Sequence, residues 1–458
     1  MKSAGIVDQE SKKAFTNRLI ILSLPIMLQN LLSSALSFTD TLMIGRIGES
    51  ALAAVGLANQ MFFLISVFFF GVSSGAAIFL SQYWGAHDLK SMHHVMGLAC
   101  LLGVGGAVVS SLLSLVFPQA IMHIFTDDPS VVARGREYLL FAGGSYIFTA
   151  VVSVFSTALR STGDAKTPMF MTLFSMVLNI ILNYLLIYGK FGFPRMEVVG
   201  AALATSISRL LEMVLLLVYI YGKKHPVSAS LSQMFTFGKK LASRYFLTCI
   251  PVILNEMFWS LGMTTYKIAY SRMGIEVIAS VNVSEAIQDL FFVALMGIAN
   301  ASAIIIGNRI GQNLLDTAHK NARQIMGISL VVGSVLGFLL ILASSVVVIP
   351  FGLSVRVGRM TTLSLISLGF LLPIKALNMV TITGILRSGG DTRFSMLTEL
   401  SGVWLIGVPC AFFGGLVLHL PIYFLFLFVA FDEVFKLTLS LARVRSGKWM
   451  NRLADGDA

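Results

Sequence analysis

A few polar residues stand in stretches that are otherwise apolar, and their types point to ion chemistry. Asp40 lies in SSALSFTDTLMIG, with Ser33, Ser34, Ser37, Thr39 and Thr41 around one carboxylate. A small cation or a proton in an apolar medium needs hard oxygen ligands and one negative charge. Asp40 is therefore either the anion of such a site or, near the outer end of its run, a hydrated carboxylate. Glu256, in IPVILNEMFWSLG, follows Pro251 by about one turn, and a proline there leaves the Leu247 carbonyl without its helical hydrogen bond. A carboxylate in that setting suits proton exchange, unless it pairs with Lys267 or Lys375. Glu285 and Asp289 are spaced i,i+4 on one helix face, lining a cavity or standing in water at its mouth. Asn179 and Asn183 are one turn apart on a shared face, and Thr205 adds a hydroxyl; these are cation ligands or interhelical hydrogen-bond formers. Lys375, just after Pro373, pairs with Glu256 or Glu399 across the bundle or repels cationic ligands. Arg209 with Glu212, and Asp432 or Glu433 with Lys436, have the spacing of internally neutralised pairs.

The elements that carry these groups are membrane spans. Of 458 residues, 56% are hydrophobic and 12% charged, about half the charge of a soluble domain. A bilayer core takes about 20 apolar residues per helix, and twelve such runs occur: Leu19–Ile44, Leu52–Leu80, Val95–Phe117, Tyr138–Leu159, Pro168–Tyr188, Val198–Tyr221, Tyr245–Tyr270, Val277–Ile306, Gln324–Ile349, Thr361–Leu386, Phe394–Leu418 and Pro421–Leu441. Sorted by loop, 21 Lys and Arg fall on one side and 8 on the other, with Arg209, Lys267, Lys375 and Lys436 inside runs. The positive-inside rule then places both termini in the cytoplasm, and the net charge of +11 orients loops rather than binding nucleic acid. The polar segment 1–18 has no signal-peptide cleavage pattern, so the first run stays as a helix. Cys100, Cys249 and Cys410 sit in apolar runs at spacings that form neither a disulfide framework nor a zinc site.

The chain is also duplicated. Pro25 aligns with Pro251, and at that separation of 226 residues Arg46 meets Arg272, Gly48 meets Gly274, Gly71 meets Gly297 and Gly85 meets Gly311. Further on, at 227, ALRSTGD (158–164) lies over ILRSGGD (385–391). Apolar helices that match by chance do not align Arg, Gly, Ser and Asp in their loops. The expected fold is an all-α integral membrane protein, twelve transmembrane helices in two pseudo-symmetric six-helix lobes. Its expected parts are a cytoplasmic segment 1–18, an N-lobe 19–221, a basic linker 222–244, a C-lobe 245–441 and a tail 442–458. Parallel repeats of this kind place a substrate site near the midplane between them. The LRSxGD loops are expected to be structural, with arginine on helix-end carbonyls, glycine turning the chain, and Thr167–Pro168 as cap and first residue of the next helix.

Twelve spans in two halves, Asp40 in the first span, ALRSTGDAKTP (158–168) and its echo ILRSGGDTR (385–393) together resemble the multidrug and toxic compound extrusion (MATE) family over nearly the whole chain, from about Leu19 to Leu441. The resemblance implies a V-shaped fold and ion-driven export of organic cations or other drugs by a plasma-membrane monomer with no cofactor beyond the coupling ion, Na⁺ or H⁺. It implies an N-lobe cation site at Asp40, Asn179, Asn183 and Thr205, where Asp40 would hold any Na⁺. It also implies a C-lobe coupling or substrate carboxylate at Glu256. The second C-lobe acid found in some members is missing, and Lys375 stands near its place. Membrane lipids and small-molecule substrates are the expected partners. A lipid-linked precursor flippase of the same superfamily is the alternative. No HExxH, GxSxG or P-loop pattern occurs, and Asp127–Asp128, an outer-loop pair, has no companion motif, so an intramembrane enzyme is not expected.

Overall fold

The computed structural model describes residues 12–453. Expectations that touch 1–11 and 454–458, Lys2 and the ends of both terminal segments among them, lie outside the described residues. The first half contains α1 (Lys12–Gly45), α2 (Glu49–Gly85), α3 (Leu89–Val116), the short α4 (Pro118–His123), α5 (Pro129–Ala142), α6 (Ser145–Ser161), α7 (Lys166–Tyr188) and α8 (Glu197–Gly222). After the short α9 (Leu231–Phe235), the second half contains α10 (Lys239–Ser271), α11 (Ile275–Gly311), α12 (Leu315–Val347), α13 (Val355–Met379), α14 (Thr392–Ser401), α15 (Val408–Phe412), α16 (Ile422–Val429) and α17 (Phe431–Arg445). Wider π-type turns extend α13 through Val380–Leu386 and join α14 and α15 into one span, Thr392–Val417.

Among the described residues ten helices are long and apolar enough to cross a bilayer, and α5 with α6, bent by 48° at Gly143–Gly144, makes an eleventh. The twelfth expected run is α16 followed by α17, interrupted at Ala430, with Asp432 and Glu433 in the first turn beyond the break. The outer surface is lipid-like. In the most apolar window, on α12, only 28% of the residues are buried inside the protein. A soluble helix would turn such residues inward; here they need a hydrocarbon solvent.

The repeat is visible in the packing. The two 37-residue helices α2 and α11 are repeat equivalents, in register from Glu49 and Ile275 to Gly85 and Gly311. They meet at the Lys/Arg-rich end, and the contacts exchange under the repeat. Gly85 lies on the Asn308 backbone while Gly311 lies on the Gln82 backbone, and Gly71 lies on Ile253 while Gly297 lies on Met27. Gln82 and Asn308, like Met27 and Ile253, are 226 residues apart. Gly307 faces its own equivalent, Ser81, which places the pseudo-two-fold axis between them. A methyl group at Gly85 or Gly311 would overlap the facing carbonyl oxygen, so only glycine allows this approach. The segment after α17 fastens the seam from below. Gln82 Nε2 donates to the Ser388 carbonyl (2.9 Å) and the Asn451 carbonyl (3.2 Å), while Leu453 N donates to Gln82 Oε1 (2.8 Å). Arg244 donates to the Leu453 carbonyl at 2.6 Å.

The LRSxGD loops turn at Gly163 (φ +99°) and Gly390 (φ +76°). Thr167 is not the cap of α7. Asp164 plays that part, accepting from Thr167 N at 3.0 Å and Thr167 Oγ1 at 2.7 Å. Its equivalent, Asp391, pairs with Arg443 at 2.6 Å.

Overpacking a tight core costs about 1–3 kcal/mol. Gly311→Val is expected to lower the melting temperature of the purified protein, whereas Gly105→Ala, with open space around the new Cβ, shifts stability by no more than about 1 kcal/mol. Equal melting temperatures for wild type and Gly311→Val would show that the seam is not close-packed.

Candidate functional site

The N-half polar residues converge. Asp40 sits on the last third of α1, which packs along α7, and Tyr188 Oη holds that end of α1 by donating to the Met43 carbonyl at 2.8 Å. Asn183 Nδ2 donates to Asp40 Oδ1 at 2.6 Å and to Asn179 Oδ1 at 2.9 Å, and Asn179 Nδ2 reaches Thr205 Oγ1 on α8 at 3.4 Å. Asn179 and Asn183 are each 1% exposed. With the Asn179 amide turned, its Nδ2 donates to Asp40 Oδ1 at 3.0 Å and its Oδ1 accepts from Ser208 Oγ and Thr205 N at 3.3 Å each. Asn183 Oδ1 is buried with no hydrogen-bond partner, and such a group is costly unless something satisfies it. The serine and threonine run of α1 contributes less than its composition suggests. Ser33, Ser37, Thr39 and Thr41 each donate to the carbonyl four residues back in their own helix, so Asp40 takes its amide partner from α7.

A cavity of about 560 Å³ lies between the halves, walled by α1, α2, α6, α11 and the end of α13. Its floor at the sealed end includes two repeat-equivalent pairs, Arg160–Ser161 and Arg387–Ser388. A side chamber of about 330 Å³ shares Ser66, Phe70, Phe292, Met296 and Arg387 with it and extends to Glu256, Trp259, Lys375 and Glu399. Asp40 lines neither space, but Asn30 and Ser33 on the same helix line the larger one.

In the C-half most carboxylates are ion-paired, and Glu256 takes neither Lys267 nor Lys375, the partners considered from the sequence. Glu256 Oε1 pairs with Arg387 at 2.6 Å, Glu399 pairs with the same guanidinium at 3.3 Å, and Asn255 donates to Glu399 at 2.7 Å. Lys375 pairs with neither acid; its Nζ lies 3.5 Å from Gln288 Oε1. Lys267, considered as a partner for Glu256, takes Glu285 at 2.7 Å. Glu285 and Asp289 therefore part company, since only Asp289 lines the central cavity. Arg209 pairs with Glu212 at 2.8 Å, and Lys436 with Asp432 and Glu433 at 3.1 Å each. No cluster of three or more His, Cys, Asp or Glu able to hold a metal occurs among the described residues. A cation near Asp40 would rest on one carboxylate and neutral oxygens.

The MatE family model matches this chain twice, over residues 25–185 and 251–413. The two matches begin at Pro25 and Pro251, the pair that opens the repeat. The chain belongs to the MatE family. Along most of its length it resembles the Bacillus subtilis uncharacterized transporter YisQ (27% identity, 99% of each chain) and the Thermotoga maritima probable multidrug resistance protein NorM (26% identity, 97% of this chain and 96% of the other). Its fold matches the Vibrio cholerae MATE transporter VcmN in the bent form, at TM-score 0.87 and 16% identity over 97% of this chain and 100% of the other. It also matches a multidrug resistance MATE family transporter in an outward-facing conformation, at TM-score 0.85 and 19% identity over 98% and 99%.

Within this MatE chain the residue that sequence reasoning misplaced is Arg387. It is 2% exposed at the end of the π-type stretch Val380–Leu386, between acids from α10 and α14, and does not sit on helix-end carbonyls. Glu399, named only as an alternative partner for Lys375, completes the triad. The available signal was the count of intramembrane acids without a basic partner in their own span.

Removing one member of a buried ion pair costs about 3–5 kcal/mol. Arg387→Gln is expected to destabilise the purified protein by that order, with most of the loss recovered in Arg387→Gln/Glu256→Gln/Glu399→Gln. Thermal melting checks this, and a single variant as stable as wild type would contradict the triad.

Proposed function

We propose that this protein exports amphipathic organic compounds from the cell by alternating access, driven by inward Na⁺ or H⁺ exchanged at Asp40. The observation that carries the reading is that one helix holds both sites. α1 places Asp40 against Asn183 and walls the central cavity with Asn30 and Ser33. Asn30 and Ser33 lie about 15 and 10 Å along the helix from Asp40 at 1.5 Å per residue. A change in how α1 sits on α7 and α8 therefore alters the cavity. With the Lys/Arg-rich end in the cytoplasm, the glycine seam closes the cytoplasmic side, the geometry of an outward-facing state. The relatives named as multidrug resistance proteins support the substrate class.

Sodium would be held by the Asp40 carboxylate, Asn183 Oδ1, Asn179 Oδ1 and Thr205 Oγ1; a proton needs only Asp40. Either neutralises the carboxylate. That draws α1 toward α7 in one state of the cycle and releases it in the other. The resulting coupling between ion and substrate is reciprocal and worth about 5–150-fold in affinity. On this reading ion exchange sits at Asp40 rather than at Glu256, which Arg387 already pairs.

The test is efflux of ethidium from inverted vesicles under separately imposed Na⁺ and proton gradients. Wild type is expected to respond to one gradient. Asp40→Asn should lose gradient-driven efflux by about tenfold or more while remaining in the membrane, and Glu256→Gln should keep its dependence on the same ion. Undiminished gradient-driven efflux in Asp40→Asn would remove Asp40 from the mechanism.

A further inference from the structure

The two floor arginines are equivalent in the repeat but not in their surroundings. Arg387 is compensated by Glu256 and Glu399. Arg160, in the last turn of α6, has no such company. The positions that repeat the two acids are Asn30, 226 residues before Glu256, and Thr172, 227 before Glu399. Thr172 is committed elsewhere, donating to Glu212 Oε1 at 2.9 Å and accepting from Gln29 Nε2 at 2.9 Å. Glu212 in turn is paired with Arg209. Arg160 reaches Thr157 Oγ1 at 3.2 Å and makes no ion pair among the described residues. A guanidinium stays charged and carries five donors. At the base of an apolar cleft it has a strong electrostatic demand for a counter-ion.

The walls beside it suit an anion. Asn30 and Ser153 line the same space and have donors to offer an oxyanion, whereas Ser33 and Thr157, which also line it, spend their hydroxyl protons on the Gln29 and Ser153 carbonyls; the acid of the lining, Asp289, stands on α11. On the other side stand Phe69, Phe70, Phe292 and Met296, an adaptable apolar surface. We infer that Arg160, with the Asn30 amide on the same cavity wall, forms an anion-binding subsite of the central cavity, which takes the carboxylate of an amphiphilic substrate while the apolar body lies on the phenylalanines. One planar guanidinium supplies one positive charge in a bidentate fork, which matches a carboxylate better than a phosphate dianion. The N-half floor therefore selects carboxylate-bearing or zwitterionic compounds over purely cationic ones. This deepens the export reading and rests on it in taking the cavity as the substrate site.

The experiment compares two dyes of one scaffold, tetramethylrhodamine with its free carboxylate and tetramethylrhodamine methyl ester, by fluorescence anisotropy on the purified full-length protein in lipid nanodiscs. Arg160→Gln is expected to weaken binding of the free acid about tenfold and to leave the ester within about twofold. Asn30→Glu, which offers Arg160 the acid that Glu256 gives Arg387, should cause the same selective loss with the guanidinium present. Its response keeps the test decisive if Arg160→Gln fails to fold. If both variants bind the acid as wild type does, or weaken both dyes equally, the subsite is overturned and the export reading stands. If wild type binds neither dye, the cavity is not the substrate site, and the export reading falls with the inference.

Discussion

The backbones of α2 and α11 touch where Gly85 and Gly311 leave room for a carbonyl, and the rest of the architecture depends on that approach. Each glycine accepts the partner helix at the residue equivalent to the one its own helix offers. The contact therefore carries the symmetry of the repeat and closes the cavity at one end. It contains no ion pair among its glycine contacts, which fall on uncharged residues, and Gln82 is satisfied by backbone groups of the Ser388 loop and the segment after α17. Van der Waals contact and a few hydrogen bonds hold such a seam without the desolvated charges that would make reopening slow. Two lobes that meet this way can part without breaking an ion pair among those glycine contacts.

On that symmetric frame the chemistry is asymmetric. The position equivalent to Asp40 is Tyr266, whose hydroxyl donates to Asp432 Oδ2 at 3.4 Å. The acids that flank Arg387 become an asparagine and a threonine near Arg160. The N-half thus keeps Asp40 among neutral oxygens, while the C-half ties Glu256, Glu399, Glu285, Asp432 and Glu433 into ion pairs and leaves Asp289 on the cavity wall. Duplication supplied the geometry, and side-chain divergence left a carboxylate among neutral oxygens in one lobe and a charged, ion-paired wall in the other.

Much of this was legible before the fold. Periodic apolar runs and the aligned Arg, Gly and Asp of the LRSxGD loops fix the membrane class and the two halves, because those signals are local or repeat at a constant spacing. The grouping of Asp40 with Asn179, Asn183 and Thr205 came through the family resemblance, since residues on three helices share no spacing rule. What sequence could not show is where side chains spend their hydrogen bonds. The α1 hydroxyls turn back on their own helix, Asp164 caps α7 in place of Thr167, and Arg387 finds acids 131 and 12 residues away in the chain. The break at Ala430 was hidden for a different reason: α16 and α17 together have enough residues for a span, and only the chain's path shows that they are not one helix.

The proposed transport cycle requires the lobes to part at the α2–α11 seam. Lys90 and Asp316 are repeat equivalents, both exposed in the first turns of the helices that follow the seam. In a chain with Cys100, Cys249 and Cys410 replaced by alanine, spin labels at Lys90→Cys and Asp316→Cys report the distance across it. Pulsed electron paramagnetic resonance on reconstituted protein should give one short distance at rest and a second, longer population when substrate and the driving ion are supplied. A single unchanged distance while efflux proceeds would contradict it.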